Sequence, residues 1–217
     1  MKIGVLGTGM VGEAIASKLI ETGHQVRMGS RNANNDKGSA WVKRSGPNAS
    51  QGTFTDSARF GEVVFNCTKG EVTLEVIKAA GISNLAGKIL VDIANPLDFN
   101  RGMPPTLSIV NDNSLGEEIQ KLLPETKVVK TLNTLNAKLM VNPKLVAGGD
   151  HHIFLSGNDT AAKLTVKGIL KSFGWGSESM IDLGDITTSR GTEQLLPIWV
   201  RLMSAFGTPM FQFKIVR

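Results

Sequence analysis

Lys2-Ile3-Gly4-Val5-Leu6-Gly7-Thr8-Gly9-Met10-Val11-Gly12-Glu13, continuing through Ala14 to Glu21, is the stretch whose reading decides the fold. Apolar Ile3, Val5 and Leu6 make a short strand, Gly7 to Gly12 spell the turn G-x-G-x-x-G, and Glu13 to Glu21 form an amphipathic helix. Gly23 ends that helix and Gln25-Val26-Arg27-Met28 starts a second apolar strand. In this context each glycine has a task. Gly7 permits the tight turn, Gly9 lets the backbone approach a pyrophosphate, and Gly12 allows close helix–strand packing. With Thr8, Met10 and Val11 they form a phosphate cradle, whose amides face the ligand at the positive end of the helix dipole.

Outward from this unit, the end of the second strand discriminates between dinucleotides. An NAD site has Asp or Glu about 20 residues beyond the glycines to bind the ribose 2′-hydroxyl. Here the chain reads Gly29-Ser30-Arg31-Asn32, with no carboxylate until Asp36. An acid would repel a 2′-phosphate, whereas a hydroxyl and a guanidinium fork would bind it. Lys37 adds a third charge nearby. The expected cofactor is NADP.

A chain of 217 residues suits one large domain, or one domain with a small appendage. Its 41% hydrophobic and 20% charged residues are those of a globular protein. The net charge of +5 is spread along the chain without a cluster of cations among aromatics. It therefore argues for attraction of a polyanionic coenzyme and against a nucleic-acid partner. A single cysteine, Cys67, excludes a disulfide framework and suits a reducing compartment. No apolar run approaches the ~18 residues that span a bilayer, and Met1 leads directly into the first strand. The expectation is a cytoplasmic protein without a membrane partner.

Further along, Gly38 to Arg44 is a candidate helix, Gly52-Thr53-Phe54 a short strand, Asp56 to Phe60 a helical turn, and Glu62 to Cys67 a buried strand. Val72 to Ala80 has helical spacing, and Lys88 to Ile93 is the next buried strand. Asp98 to Asn113 reads as a long loop of the kind that forms lids or binding segments. Ser114 and Glu117 have the spacing of a capping box for a helix to Leu123. Strands Lys127–Leu132, His151–Ser156 and Ser179–Leu183 follow, with a helix from Asn158 to Phe173. Thr188 to Phe206 is a long helix that Pro197 should break or kink, and Phe211 to Ile215 is a strand or extended tail. Strands alternating with helices predict an α/β fold: a Rossmann-type, doubly wound, mainly parallel sheet with a small C-terminal helical part. Residues 1–155 would form the dinucleotide-binding domain and 156–217 the smaller part packed against it.

The residues that are absent narrow the chemistry. His151 and His152 are adjacent and would point to opposite faces of a strand, and His24 stands alone, so no metal site is expected. There is no G-x-S-x-G elbow, and no tyrosine anywhere to act as a proton donor. A dinucleotide-binding unit without an obvious general acid suits hydride transfer to an acceptor that needs little proton assistance, such as a flavin or deazaflavin. A non-catalytic NADP(H)-binding sensor is the other reading.

Several stretches together carry a resemblance. They are the Gly7–Gly12 turn, Gly29-Ser30-Arg31, Val91-Asp92-Ile93-Ala94-Asn95-Pro96, Val128 to Thr134, Ile181-Asp182-Leu183-Gly184, and Ser189-Arg190 with Glu193 and Leu196-Pro197. Through them the chain resembles the NADP-dependent oxidoreductases that use the deazaflavin coenzyme F420, and it is similar to the reductase domain of the STEAP metalloreductases. The resemblance implies a homodimer that moves hydride between NADPH and a flavin-like small molecule. It further implies that Thr8 to Gly12 hold the pyrophosphate, and Ser30, Arg31 and Lys37 the 2′-phosphate. Cys67, Thr68, Lys69, Pro96 and Ala137 would lie along the ribose and nicotinamide. Asn133 stands where the deazaflavin enzymes tend to have His.

Overall fold

The computed structural model describes residues 1–217. In chain order the first half contains β1 (Lys2–Leu6), α1 (Met10–Glu21), β2 (Gln25–Ser30), α2 (Asp36–Ser45), β3 (Ala49–Thr53), α3 (Phe54–Phe60), β4 (Val63–Asn66), α4 (Gly70–Ala80), α5 (Ile82–Leu85) and β5 (Ile89–Asp92). The second half contains β6 (Leu97–Asp98), β7 (Thr106–Leu107), α6 (Leu115–Leu122), β8 (Lys127–Thr131), α7 (Ala137–Val141), β9 (Ile153–Ser156), α8 (Thr160–Ser172), β10 (Met180–Gly184), α9 (Ser189–Gln194) and α10 (Leu196–Phe206). Eight strands form one sheet in the order β10-β9-β8-β5-β4-β1-β2-β3. Every neighbouring pair is parallel except β8 with β9. The strand order reverses direction between β1 and β4, and in such sheets ligands bind beyond the strand ends at that point.

Helices cover both faces, and the strands supply both with apolar residues by simple alternation. Ile3, Val5, Val63, Phe65, Val91 and Val129 face one core, completed by Ile15 and Leu19 of α1, Trp41 of α2 and Val166 and Leu170 of α8. Val64, Leu90 and Val128 face the other, against Ile77 of α4 and Leu115 and Ile119 of α6. Trp41 is wholly buried, and its indole N–H donates to Ser17 on α1, fixing the angle between the first two helices. No helix is long and apolar enough to cross a membrane.

Local differences from the sequence reading have physical causes. Helix α1 starts at Met10, so Gly12 lies within its first turn rather than ahead of it. The segment 98–113 is not wholly irregular, because Leu97–Asp98 and Thr106–Leu107 pair as a small antiparallel hairpin. His151 and His152 precede β9 instead of lying in it. The His151 ring is buried against Pro143 O and Trp175, and the His152 amide donates to the Phe213 carbonyl of an extended tail. Pro197 behaves as its locked φ requires, opening α10 as a segment separate from α9.

The capping box at Ser114 is only half made. Ser114 Oγ accepts from the Glu117 amide, but Glu117 does not return to the Ser114 amide, which donates to Asn113 instead. Its carboxylate is taken in bidentate fashion by Arg190, at 2.8 and 2.5 Å. Hydrogen bonds from Arg190 outweigh burial and hold Glu117 below its ordinary 4.5. Because the folded-state value is the lower one, this contribution is present above pH 4.5 and disappears as pH falls through the folded-state value. Arg190→Leu should therefore lower stability slightly near neutrality, as expected for a partly screened pair, and hardly at all near pH ~2. Urea unfolding at the two pH values checks this; an equal gap at both would assign the loss to packing.

Candidate functional site

The turn after β1 is shaped by backbone constraints. Gly7 has φ +111, in the region that glycine favours. A Cβ on Gly12 would sit 2.1 Å from the Gly7 carbonyl oxygen, so only glycine lets α1 approach this closely. Gly9 is the N-cap of α1, with no side chain closing the helix end. The first amides of α1 thus point outward at the positive end of the dipole, beside open space where even a Cβ on Gly9 would touch nothing within 4 Å. This exposed cradle fits a pyrophosphate.

Two depressions border the turn and another lies at the end of β2, and the predicted residues divide among these three. Ser30 and Arg31 line a crevice with Thr53, Phe54, Val72 and Glu75. Ser30 is buried and its hydroxyl donates to the Asn32 carbonyl at 2.6 Å, so its single proton holds the turn. Arg31 is exposed and makes no ion pair or hydrogen bond, which leaves its whole fork available. Lys37, on the first turn of α2, faces a second groove with Thr8, Gly9, Met10, Ala137 and Lys138. The two predicted cations thus border different depressions.

Cys67, Thr68 and Lys69 follow β4 and line the third depression, a cavity of about 340 Å³, together with Val11 of the glycine turn. Ile93, Leu135 and Met140 add apolar surface, and Phe99, Leu196 and Trp199 contribute from the hairpin and α10. Thr68, Asn95 and Asn133 bring uncharged polar side chains to its lining. The two asparagines are paired: Asn95 Nδ2 donates to the Asn133 carbonyl at 2.7 Å, and Asn133 Nδ2 donates to Asn95 Oδ1 at 2.9 Å. Pro96 is buried between two lining residues without itself lining the cavity. Burial, and then the nearby Asp92 charge, push the Cys67 thiol far up, so it is a neutral, unreactive wall group. The remaining titratable groups, Lys69 and Glu71, form an exposed pair at the rim.

Phe99 lies in the long segment expected to form a lid or binding loop, but its meeting with Leu196 and Trp199, about a hundred residues further along the chain, has no signal in the sequence. The sequence reading also missed a buried cluster beneath the cavity, formed by Asn66, Asp92, Lys130 and Glu193. A signal for the last was present: Asp92 and Lys130 interrupt otherwise apolar strands, and a charge is rarely buried alone. Burial by itself would lower Lys130, but the charges and hydrogen bonds of Asp92 and Glu193 raise it overall, keeping the ammonium.

The profile of the coenzyme F420-dependent NADP oxidoreductases matches residues 2–96. A candidate F420-dependent NADP-reductase from Arthrobacter sp. FB24 is 54% identical, with all of both chains covered and a TM-score of 0.94. The rat metalloreductase STEAP3 is 30% identical over 204 residues, which is 91% of this chain and 38% of that protein. The chain thus spans about two fifths of the length of the curated metalloreductases it matches, human STEAP2 included at 41%. A reductive aminase from Aspergillus terreus, solved with NADPH and ethyl levulinate, shares the fold at 18% identity and a TM-score of 0.66, covering 95% of this chain and 62% of that one.

Proposed function

The chain belongs to the coenzyme F420-dependent NADP oxidoreductase family, and from that premise we propose that it transfers a hydride between NADPH and a deazaflavin (F420) or flavin-type acceptor. NADP is the family's coenzyme, and the nicotinamide ring, when bound, supplies or receives the hydride. The amides of Gly9 to Gly12 hold the pyrophosphate. Arg31 grips the 2′-phosphate while Ser30 holds the turn that presents it, and Lys37 adds longer-range attraction. Thr68, Lys69 and the wall formed by Cys67 orient the ribose and nicotinamide, with Ala137 closing the opposite groove and Pro96 stiffening the loop behind.

The observation that carries this reading is the character of the third depression. It adjoins the glycine turn, is walled mostly by apolar side chains, and holds polar amides and a hydroxyl but no ionised group in its interior. Such a space can align two flat rings and exclude water, and it offers no side chain to protonate a carbonyl product. An acceptor whose reduced form is stabilised within its own ring system meets both conditions. Phe99 and Trp199 provide the aromatic surfaces such a ring needs.

Purified protein should oxidise NADPH with at least one of F420, FMN, FAD or riboflavin, and should oxidise NADH far more slowly, followed at the nicotinamide absorbance. Tight NADPH binding without turnover of any acceptor would instead identify a sensor.

A further inference from the structure

Three charged side chains lie inside the protein without a role in the chemistry above: Asp92 and Lys130 are 0% exposed and Glu193 is 1% exposed. The pairing of β5 with β8 sets Asp92 directly beside Lys130. Lys130 Nζ donates to Asp92 Oδ2 and lies equally close to Glu193 Oε1, both at 2.7 Å. Its third contact is with the Ala94 carbonyl, so all three ammonium protons have acceptors.

From each end the bonds continue to a different segment. Asp92 Oδ1 accepts from Asn66 Nδ2 at 2.7 Å and from the Ala94 amide at 3.2 Å. Asn66 Oδ1 accepts from the Thr68 hydroxyl at 2.7 Å. Glu193 accepts from the Leu115 and Gly116 amides at 2.8 and 3.0 Å. Two carboxylates against one ammonium leave a surplus negative charge, and it rests where the N-terminus of α6 can neutralise it.

An apolar trio of the same volume would stabilise a core about as well, since the buried charges forfeit their solvation by water. What the charged trio adds is direction. Its bonds end at Thr68 and Ala94, which line the cavity, and at Glu193 in α9, three residues ahead of Leu196 and six ahead of Trp199, the α10 residues that line it from another segment. We infer that Asp92, Lys130 and Glu193 form one positioning unit that sets the spacing between the strand-end loops and the helical wall, and so the width of the slot the acceptor enters. This rests on the reading of that cavity as the acceptor site. None of the three lines it, and they act through Thr68, Ala94 and α10.

Glu193→Gln tests the unit, because an amide cannot offer two acceptor oxygens to two backbone amides and an ammonium. Hydrogen–deuterium exchange of the coenzyme-free variant should rise about tenfold in segments 66–70, 93–97 and 114–117 together, with 26–31 unchanged. With NADPH and the best acceptor of the panel, the acceptor KM should rise about tenfold, while NADPH affinity stays within about threefold. If Glu193→Gln does not fold, Glu193→Asp keeps the charge but withdraws it by one methylene, and the same exchange pattern is expected. Loosening confined to 114–117, which a simple helix cap would give, overturns the inference, as does unaltered exchange. So does an unchanged acceptor KM in a variant of an active enzyme. Exchange is read without any acceptor, so wild-type protein inert to the whole panel defeats the proposed acceptor alone.

Discussion

Arg31→Asp should weaken NADPH binding by about 10- to 150-fold while leaving NADH within about threefold or improving it. The range follows from losing charge-assisted hydrogen bonds to a phosphate, about 1.5–3 kcal/mol, before any repulsion from the new carboxylate is added. Arg31 stands at the end of β2 in the crevice that also holds Ser30, and it is exposed with no partner competing for its guanidinium. Since the Ser30 proton is engaged with Asn32, most of the discrimination between the coenzymes is expected from this one side chain. Titration of both dinucleotides by calorimetry decides it. Equal weakening of NADPH and NADH would mean that the guanidinium stacks on the adenine, which both share, rather than meeting the extra phosphate.

Lys130→Met should destabilise the protein by about 3–5 kcal/mol, the usual result of leaving buried partner charges uncompensated. In urea that corresponds to a midpoint lower by about 1–2 M. Methionine has nearly the length of lysine, so loss of packing is small and the effect reports the two stranded carboxylates of Asp92 and Glu193, both essentially inaccessible to solvent. A loss below about 1 kcal/mol would be that of a solvated pair and would show that water reaches this cluster.

Much of the dinucleotide-binding half was readable directly because its determinants are local. The Gly7–Gly12 turn, the apolar alternation of β1, β4, β5 and β8, and the missing acid after β2 each depend on residues within a few positions of one another. The family resemblance was legible for the same reason, resting on short matching stretches in chain order, and the comparisons bear it out. Glu117 shows where local reading fails: its spacing from Ser114 fits a capping box, yet Arg190, more than seventy residues away, competes for the carboxylate and wins with a two-point, charge-assisted contact. The placement of Lys37 is likewise a matter of tertiary structure. It lies close to Arg31 in sequence, but α2 turns it toward the groove of Ala137 and Lys138.

By itself, then, the order of residues determined a parallel α/β sheet, a phosphate-binding turn and a preference for the phosphorylated dinucleotide, since steric and electrostatic demands at each of these places are met by neighbours along the chain. Only the tertiary structure decided what walls the cavity beside that turn and what lies beneath it. Phe99 and Trp199 come to line one cavity, and Asp92, Lys130 and Glu193 become one cluster, because strands and helices distant in sequence are brought together. Burial then gives those side chains properties, a desolvated surface in one case and a fully paired charge in the other, that depend on neighbours no local pattern names.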